Sequence, residues 1–122
     1  MGLEKNEFIE QFKKRTKKFA LDSIKLFQSL PKTEEARVVG RQFLRSATST
    51  AANYRAVCRA RSQAEFFAKL SITVEEADES SLWLELLIES EIMNTKLTQS
   101  LLKELNEITF VLAKARKTTS DN

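Results

Sequence analysis

The sequence predicts an all-α protein folded as an up-down-up-down antiparallel four-helix bundle. Three observations carry that expectation. Apolar residues recur at three- and four-residue steps through four long segments, the period that lines them up on one side of a helix. Two glycines and one proline in 122 residues leave too few turn formers for a series of short strands. The breaks between segments are short, which makes consecutive helices antiparallel neighbours. A chain of this length is expected to form one domain over residues 1–122 and to bury a core of its own.

The first helix is expected over residues 6–29, with Phe8, Phe12, Thr16, Phe19, Ser23, Leu26 and Leu30 on its buried side. Lys13, Lys14, Arg15, Lys17 and Lys18 crowd the other side within two turns. That cluster is either a solvated face or a surface for an anionic partner. Pro31 ends the helix, because proline disfavours helical geometry at the residue before it. Thr33 then suits an N-cap, with Glu34 and Glu35 in the favourable first turn of the next helix.

The second helix, over 34–58, has two faces of different chemistry. At about 100° per residue, Val39, Phe43, Ala47, Thr50, Tyr54 and Val57 share one face. Arg37, Arg41, Arg45, Thr48, Ala52, Arg55 and Arg59 share the opposite one. Gly40 costs about 1 kcal/mol of helix propensity relative to alanine, which suggests a place where another backbone comes close. The run Ser46 to Ala52 is small-sided. It permits tight packing on the core face and leaves a shallow groove between Arg45 and Arg55 on the outer one. Asn53 reads as a hydrogen-bonding residue facing a neighbouring helix or turn.

Ser62-Gln63-Ala64-Glu65 has the form of a capping box, so the third helix runs over 63–90. Phe66, Leu70, Thr73, Ala77, Ser81, Leu84 and Ile88 form its core seam. Ile72, Leu82, Trp83 and Leu86 lie on the far side, and from Leu82 to Ile88 only Glu85 interrupts the apolar surface. A helix apolar on both faces needs a second burial partner, most simply another copy of the chain. The fourth helix, over 95–117, carries Leu97, Leu101, Leu105, Ile108, Leu112 and Ala115, followed by a polar tail, 118–122, expected to fray. The core should contain Phe12, Phe19, Leu26, Phe43, Tyr54, Phe66, Leu70, Leu84, Leu101, Leu105, Ile108 and Leu112.

Three stretches also carry a resemblance. Arg45-Ser-Ala-Thr-Ser-Thr-Ala-Ala-Asn-Tyr-Arg55, then Arg59-Ala-Arg-Ser-Gln-Ala-Glu-Phe66, then Glu75-Glu-Ala-Asp-Glu-Ser-Ser-Leu-Trp-Leu-Glu-Leu-Leu87 resemble the bacterial "four helix bundle protein" family. That family includes proteins encoded in intervening sequences of the large-subunit ribosomal RNA gene. The chain is also similar to the accessory variability determinant of diversity-generating retroelements. The resemblance implies a helical bundle, an oligomer that is often a pentamer, and nucleic-acid or reverse-transcriptase partners, with no enzymatic activity.

Composition narrows the function classes. There is no histidine, which removes the usual general base and the commonest metal ligand. Di-iron bundles need Glu-x-x-His on two helices, and two isolated glycines cannot make a phosphate loop. No catalytic residue, metal or cofactor is therefore expected. The single cysteine, Cys58, fits a reducing compartment. Its flanking arginines would favour a thiolate, although a small side chain near a helix end is the simpler reading. The N-terminus lacks the apolar stretch of a signal peptide and no segment is long enough to span a bilayer, so a cytoplasmic protein without membrane attachment is expected.

The net charge of +3 conceals a division. Residues 1–62 hold 14 Lys/Arg against 6 Asp/Glu, and residues 63–122 hold 6 against 11. Arg37, Arg41, Arg45, Arg55 and Arg59 form a track about 30 Å long at 1.5 Å per residue. Arginine suits phosphates because its planar fork donates paired hydrogen bonds and stays charged. With Lys13, Lys14, Lys17 and Lys18 the track is a candidate surface for RNA or DNA. The competing reading pairs these arginines with Glu75, Asp78, Glu79, Glu85 or Glu89 of a neighbouring subunit.

Overall fold

The computed structural model describes residues 2–120. Four helices follow one another: α1 (Gly2–Ser29), α2 (Glu34–Cys58), α3 (Gln63–Glu89) and α4 (Lys96–Ser120). No strand occurs among the described residues. Each helix packs on its neighbours in sequence and α4 closes the ring against α1, while the backbones of the diagonal pairs stay apart. The architecture is the expected all-α four-helix bundle.

The closest association is between α2 and α3, and the loosest is between α4 and α1. Small side chains explain the first. Ser46, Ala47 and Thr50 of α2 are buried, as are Thr73, Ala77 and Ser80 of α3. The Ser80 hydroxyl donates to Ser46 Oγ at 2.9 Å, and Ser46 donates to the Gln42 carbonyl at 2.9 Å. Thr50 and Thr73 donate to the carbonyls one turn back, of Ser46 and Lys69. A buried hydroxyl without a partner is costly, and among the described residues no buried side-chain polar atom lacks one. At the loose seam the closure is ionic. Arg15 donates Nε and Nη2 to the two carboxylate oxygens of Glu104, both at 2.7 Å, and Nη2 also reaches Glu107 at 3.1 Å.

Of the twelve residues expected in the core, eleven are buried. Phe66 is only half-buried, because it sits at an open end of the bundle where no turn covers it. On α3 the expected Leu70, Thr73, Ala77, Leu84 and Ile88 are buried, but the buried stripe is wider than expected on one side: it takes in Val74, Ser80 and Leu87, while Ser81 is only half-buried. This helix is apolar on nearly every side towards its end, so its pattern did not show which flank of the seam would be covered, and packing between α2 and α4 decided it. Phe8 is 53% exposed; it stacks on Phe12, with centroids 5.8 Å apart, at the same open end.

The ends follow capping chemistry. Thr33 Oγ1 accepts from the Ala36 amide at 3.3 Å, and Ser62 Oγ accepts from the Glu65 amide at 3.0 Å. The second half of the expected box is absent, since the Glu65 carboxylate pairs with Lys69 at 3.4 Å. Thr95 and Thr98 cap α4 reciprocally, each amide donating to the other's hydroxyl, at 3.2 and 2.8 Å. That arrangement buries Thr98 and turns Leu97, expected in the seam, outward. α1 begins four residues before the expected start, at Gly2. The tail expected to fray continues α4 through Ser120, with the Thr118 and Thr119 hydroxyls bonded to Lys114 and Ala115 carbonyls; residues 121–122 lie outside the described residues.

Two backbone positions carry consequences. The space beside Gly40 admits side chains from the end of α1 and the residue after it, not a second backbone: a Cβ there would stand 2.4 Å from Leu30 Cδ1 and 3.3 Å from Phe27 Cδ1. Glu91, just past the α3 cap, has φ 64. Its amide donates to the Ile88 carbonyl at 3.0 Å and Met93 donates to Leu87 at 2.9 Å, the return that a left-handed residue permits. Asparagine tolerates that conformation better than glutamate. Glu91→Asn should therefore stabilise the protein by about 0.5–1 kcal/mol in urea unfolding; a loss of stability would show that the Glu91 side chain contributes more than the strain removes.

Candidate nucleic-acid interface

The ring contacts between α1 and α2 fix their register. Phe12 meets Tyr54 edge-on with centroids 4.8 Å apart, and Phe19 meets Phe43 at 6.4 Å. With those rings inward, the arginines of α2 must face out. Arg37, Arg41, Arg55 and Arg59 are exposed, and none of their side chains has a hydrogen-bond or ion-pair partner among the described residues.

Arg45 behaves differently. It forms a close ion pair through Nη2 with Glu79 of α3, and Nη1 lies 3.5 Å from Glu76. Glu79 Oε2 also accepts the Trp83 indole N–H at 3.1 Å. The acid that the sequence offered as a partner on a neighbouring subunit is thus reached within the same chain, and Arg45 leaves the free stripe. The pair also orients the helix. At about 100° per residue, Arg37 and Arg55 stand about 80° round from Arg45, away from α3 and towards α1.

On α1 the lysine cluster divides. Lys13 pairs with Glu10 at 3.0 Å and Lys18 with Asp22 at 2.9 Å, both along their own helix. The Asp22 hydrogen bond raises the Lys18 pKa. Arg15 points at α4, where its hydrogen bond to Glu104 raises its pKa. Lys14 and Lys17 are exposed and have no ionic partner among the described residues. Lys14 lies opposite the buried Phe12, Thr16 and Phe19 stripe and so faces outward, with Lys17 about 60° round from it. The register places these lysines beside the small-residue stretch of α2. Two arginine pairs, about 20 Å apart along α2, are therefore flanked midway by Lys14 and Lys17.

The other expected residues fall as follows. Ile72, Leu82 and Leu86 are exposed on α3. Trp83, expected beside them, is half-buried against the core and tied to Glu79. Asn53 donates to the Ser49 carbonyl of its own helix at 2.8 Å, not to a neighbouring element. The Cys58 thiol is pushed up in pKa by burial, against the lowering from its Tyr54 hydrogen bond; the arginine-stabilised thiolate is not supported. Burial likewise holds Tyr54 protonated well above the usual range. Among the described residues no group of three His, Cys, Asp or Glu could hold a metal ion, and no helix is long and apolar enough to cross a membrane.

The sequence reading missed one large feature. Phe110 is 68% exposed and borders two grooves along α4. Its place outside the α4 seam was visible in the helical period; its neighbours across α1 were not.

Comparison with known proteins bears on this arrangement. The family model of the 23S rRNA-intervening sequence protein matches residues 10–114, which include α2 and the part of α1 that carries Lys13 to Lys18. A solved structure of a protein of unknown function from the S23 ribosomal protein family of Bacteroides thetaiotaomicron superposes with a TM-score of 0.80. The two chains are 35% identical, and the match covers 87% of this chain and 98% of that one. No curated protein matches the chain. With a family match over most of its length and the same fold in a relative of that identity, the chain belongs to the 23S rRNA-intervening sequence protein family.

Proposed function

We propose that this protein is a non-catalytic, self-associating protein that binds structured RNA through the phosphate backbone, using Arg37, Arg41, Arg55 and Arg59 of α2 with Lys14 and Lys17 of α1. One observation carries the reading: these cations are exposed and unpartnered among the described residues, whereas Lys13, Arg15, Lys18 and Arg45 of the same two helices are engaged by carboxylates. Side chains between the arginine pairs are small, so a phosphate backbone can approach the helix. No exposed aromatic ladder lies among them, so base readout contributes little. The family name sets its members in a ribosomal RNA context, which supports RNA as the partner. The absence of histidine supports a binding role over catalysis. Self-association through the exposed Leu82 and Leu86 of α3 would repeat the surface and convert a weak contact into avidity.

The test is RNA and DNA binding across a salt series. Wild-type affinity should fall linearly in log-log coordinates, by about 0.9 per phosphate contact on a duplex. The triple variant Arg41→Gln, Arg55→Gln, Arg59→Gln should bind at least tenfold more weakly at low salt, with a slope shallower by about 2–3. Equal binding by both proteins at the same oligomeric size would remove the stripe from the mechanism. Loss of the oligomer in the variant would show instead that the arginines hold subunits together.

A further inference from the structure

At the end of the bundle where α2 and α4 finish and α1 and α3 begin, the helices leave an apolar chamber of about 200 Å³. All four contribute walls: Phe12 from α1, Tyr54 and Val57 from α2, Phe66 and Leu70 from α3, and Leu112 from α4. Apart from Lys5, the Tyr54 hydroxyl and the Cys58 thiol, one turn apart on α2, are the side-chain polar groups of the lining, so the wall offers little to a water molecule. An apolar void of about 150 Å³ stays dry and takes up a molecule the size of benzene. Left empty, the lining forfeits dispersion contacts on one side.

The mouth has a different character. The chamber runs into a groove of about 450 Å³ along α4, and Phe8, Phe66, Val111 and Ala115 line both. Lys5 stands on the chamber side and Lys114 on the groove side. Neither ammonium has an ion-pair partner among the described residues. A carbon-walled chamber with one lysine in its lining and another in the adjoining groove matches an amphiphile of opposite polarity: a short apolar chain with a single negative head.

We propose that this chamber is a binding site for an alkyl carboxylate, the chain lying among Phe12, Val57, Leu70 and Leu112 and the carboxylate resting at the mouth between Lys5 and Lys114. The volume suits a chain of about six to eight carbons. None of these residues belongs to the arginine surface, so the site stands or falls independently of RNA binding.

The experiment is calorimetric titration of the full chain with butanoate, hexanoate, octanoate and dodecanoate, with octanol as the uncharged control. Affinity should rise about fourfold per methylene up to octanoate and then level off once the chain outgrows the chamber. Lys5→Gln with Lys114→Gln should weaken octanoate about three- to tenfold and leave octanol unchanged. Ala115→Phe, which puts a ring into the space, should abolish binding of both while helical content is retained; Val111→Phe serves the same purpose if the first variant does not fold. No octanoate binding at millimolar concentration would overturn the site. So would affinity independent of chain length, or binding unchanged in the filled variants. Octanol binding as tightly as octanoate, with the lysine variants silent, would overturn the anionic head.

Discussion

Phe43→Ala is expected to cost about 3–5 kcal/mol, the range for removing a fully enclosed aromatic side chain. Phe43 has no exposed surface, and its ring meets Phe19 edge-on at the level where α1 crosses the middle of α2. Truncation removes that contact as well as the burial, and the neighbours cannot close in. They are held by Ser46 and Thr50 hydroxyls tied to the backbone and by the close α2–α3 seam. Against a total stability of about 5–15 kcal/mol for a domain, the loss should lower the melting temperature by roughly 10–25 °C. Urea unfolding should show a displaced midpoint with little change in slope. Phe110→Ala, on a ring that is mostly in solvent, should change stability by less than about 0.5 kcal/mol. A Phe43→Ala protein within about 1 kcal/mol of the wild type would mean that the aromatic layer between α1 and α2 is not the core.

The second large effect separates two adjacent leucines. Leu87 is fully enclosed and Leu86 is 40% exposed. Leu87→Glu puts a carboxylate into the core with no cation in reach, a cost of several kcal/mol that should unfold the chain. Leu86→Glu leaves the monomer intact and acts only if α3 packs against another copy, where the charge would be desolvated in the contact. Light scattering should therefore give a wild-type particle heavier than the 14.0 kDa chain. The Leu86→Glu protein should run at chain mass with undiminished helical circular dichroism. A wild type already at chain mass at micromolar concentration, or a Leu86→Glu protein of unchanged size, would refute self-association through this face. The relevant patch is Leu82 and Leu86; Ile72 lies about 40° round the helix from Leu86 but about 20 Å back along it, and Trp83 is half-buried against the core.

These expectations rest on different links between sequence and structure. Periodicity sufficed for α1, α2 and α4, where apolar residues occupy one side and charges the other. Buried Phe12, Phe19 and Leu26, then Phe43 and Tyr54, then Leu101 to Leu112 all follow a single stripe. Local chemistry sufficed for the starts of α2 and α3, because Thr33 and Ser62 act on amides three residues away. The exposure of Arg37, Arg41, Arg55 and Arg59 was equally legible, since a residue opposite a buried seam has nowhere else to point.

What the sequence alone determined is therefore the fold class, most of the core on all four helices and the existence of a basic face on α2. Tertiary structure alone decided which flank of the α3 seam is covered, burying Ser80 and Leu87 beside the expected stripe, where apolar residues on nearly every side gave periodicity little to choose between. It also decided which cations are free. Arg45 and Arg41 look alike in the sequence, but only Arg45 stands across from Glu76 and Glu79. Arg15 and Lys14 are neighbours, yet one reaches Glu104 of α4 and the other faces solvent. An ion pair between residues 34 or 89 apart depends on the register of two helices. That register is set by aromatic and small-residue packing in the core, at positions remote in the chain from the charges it brings together.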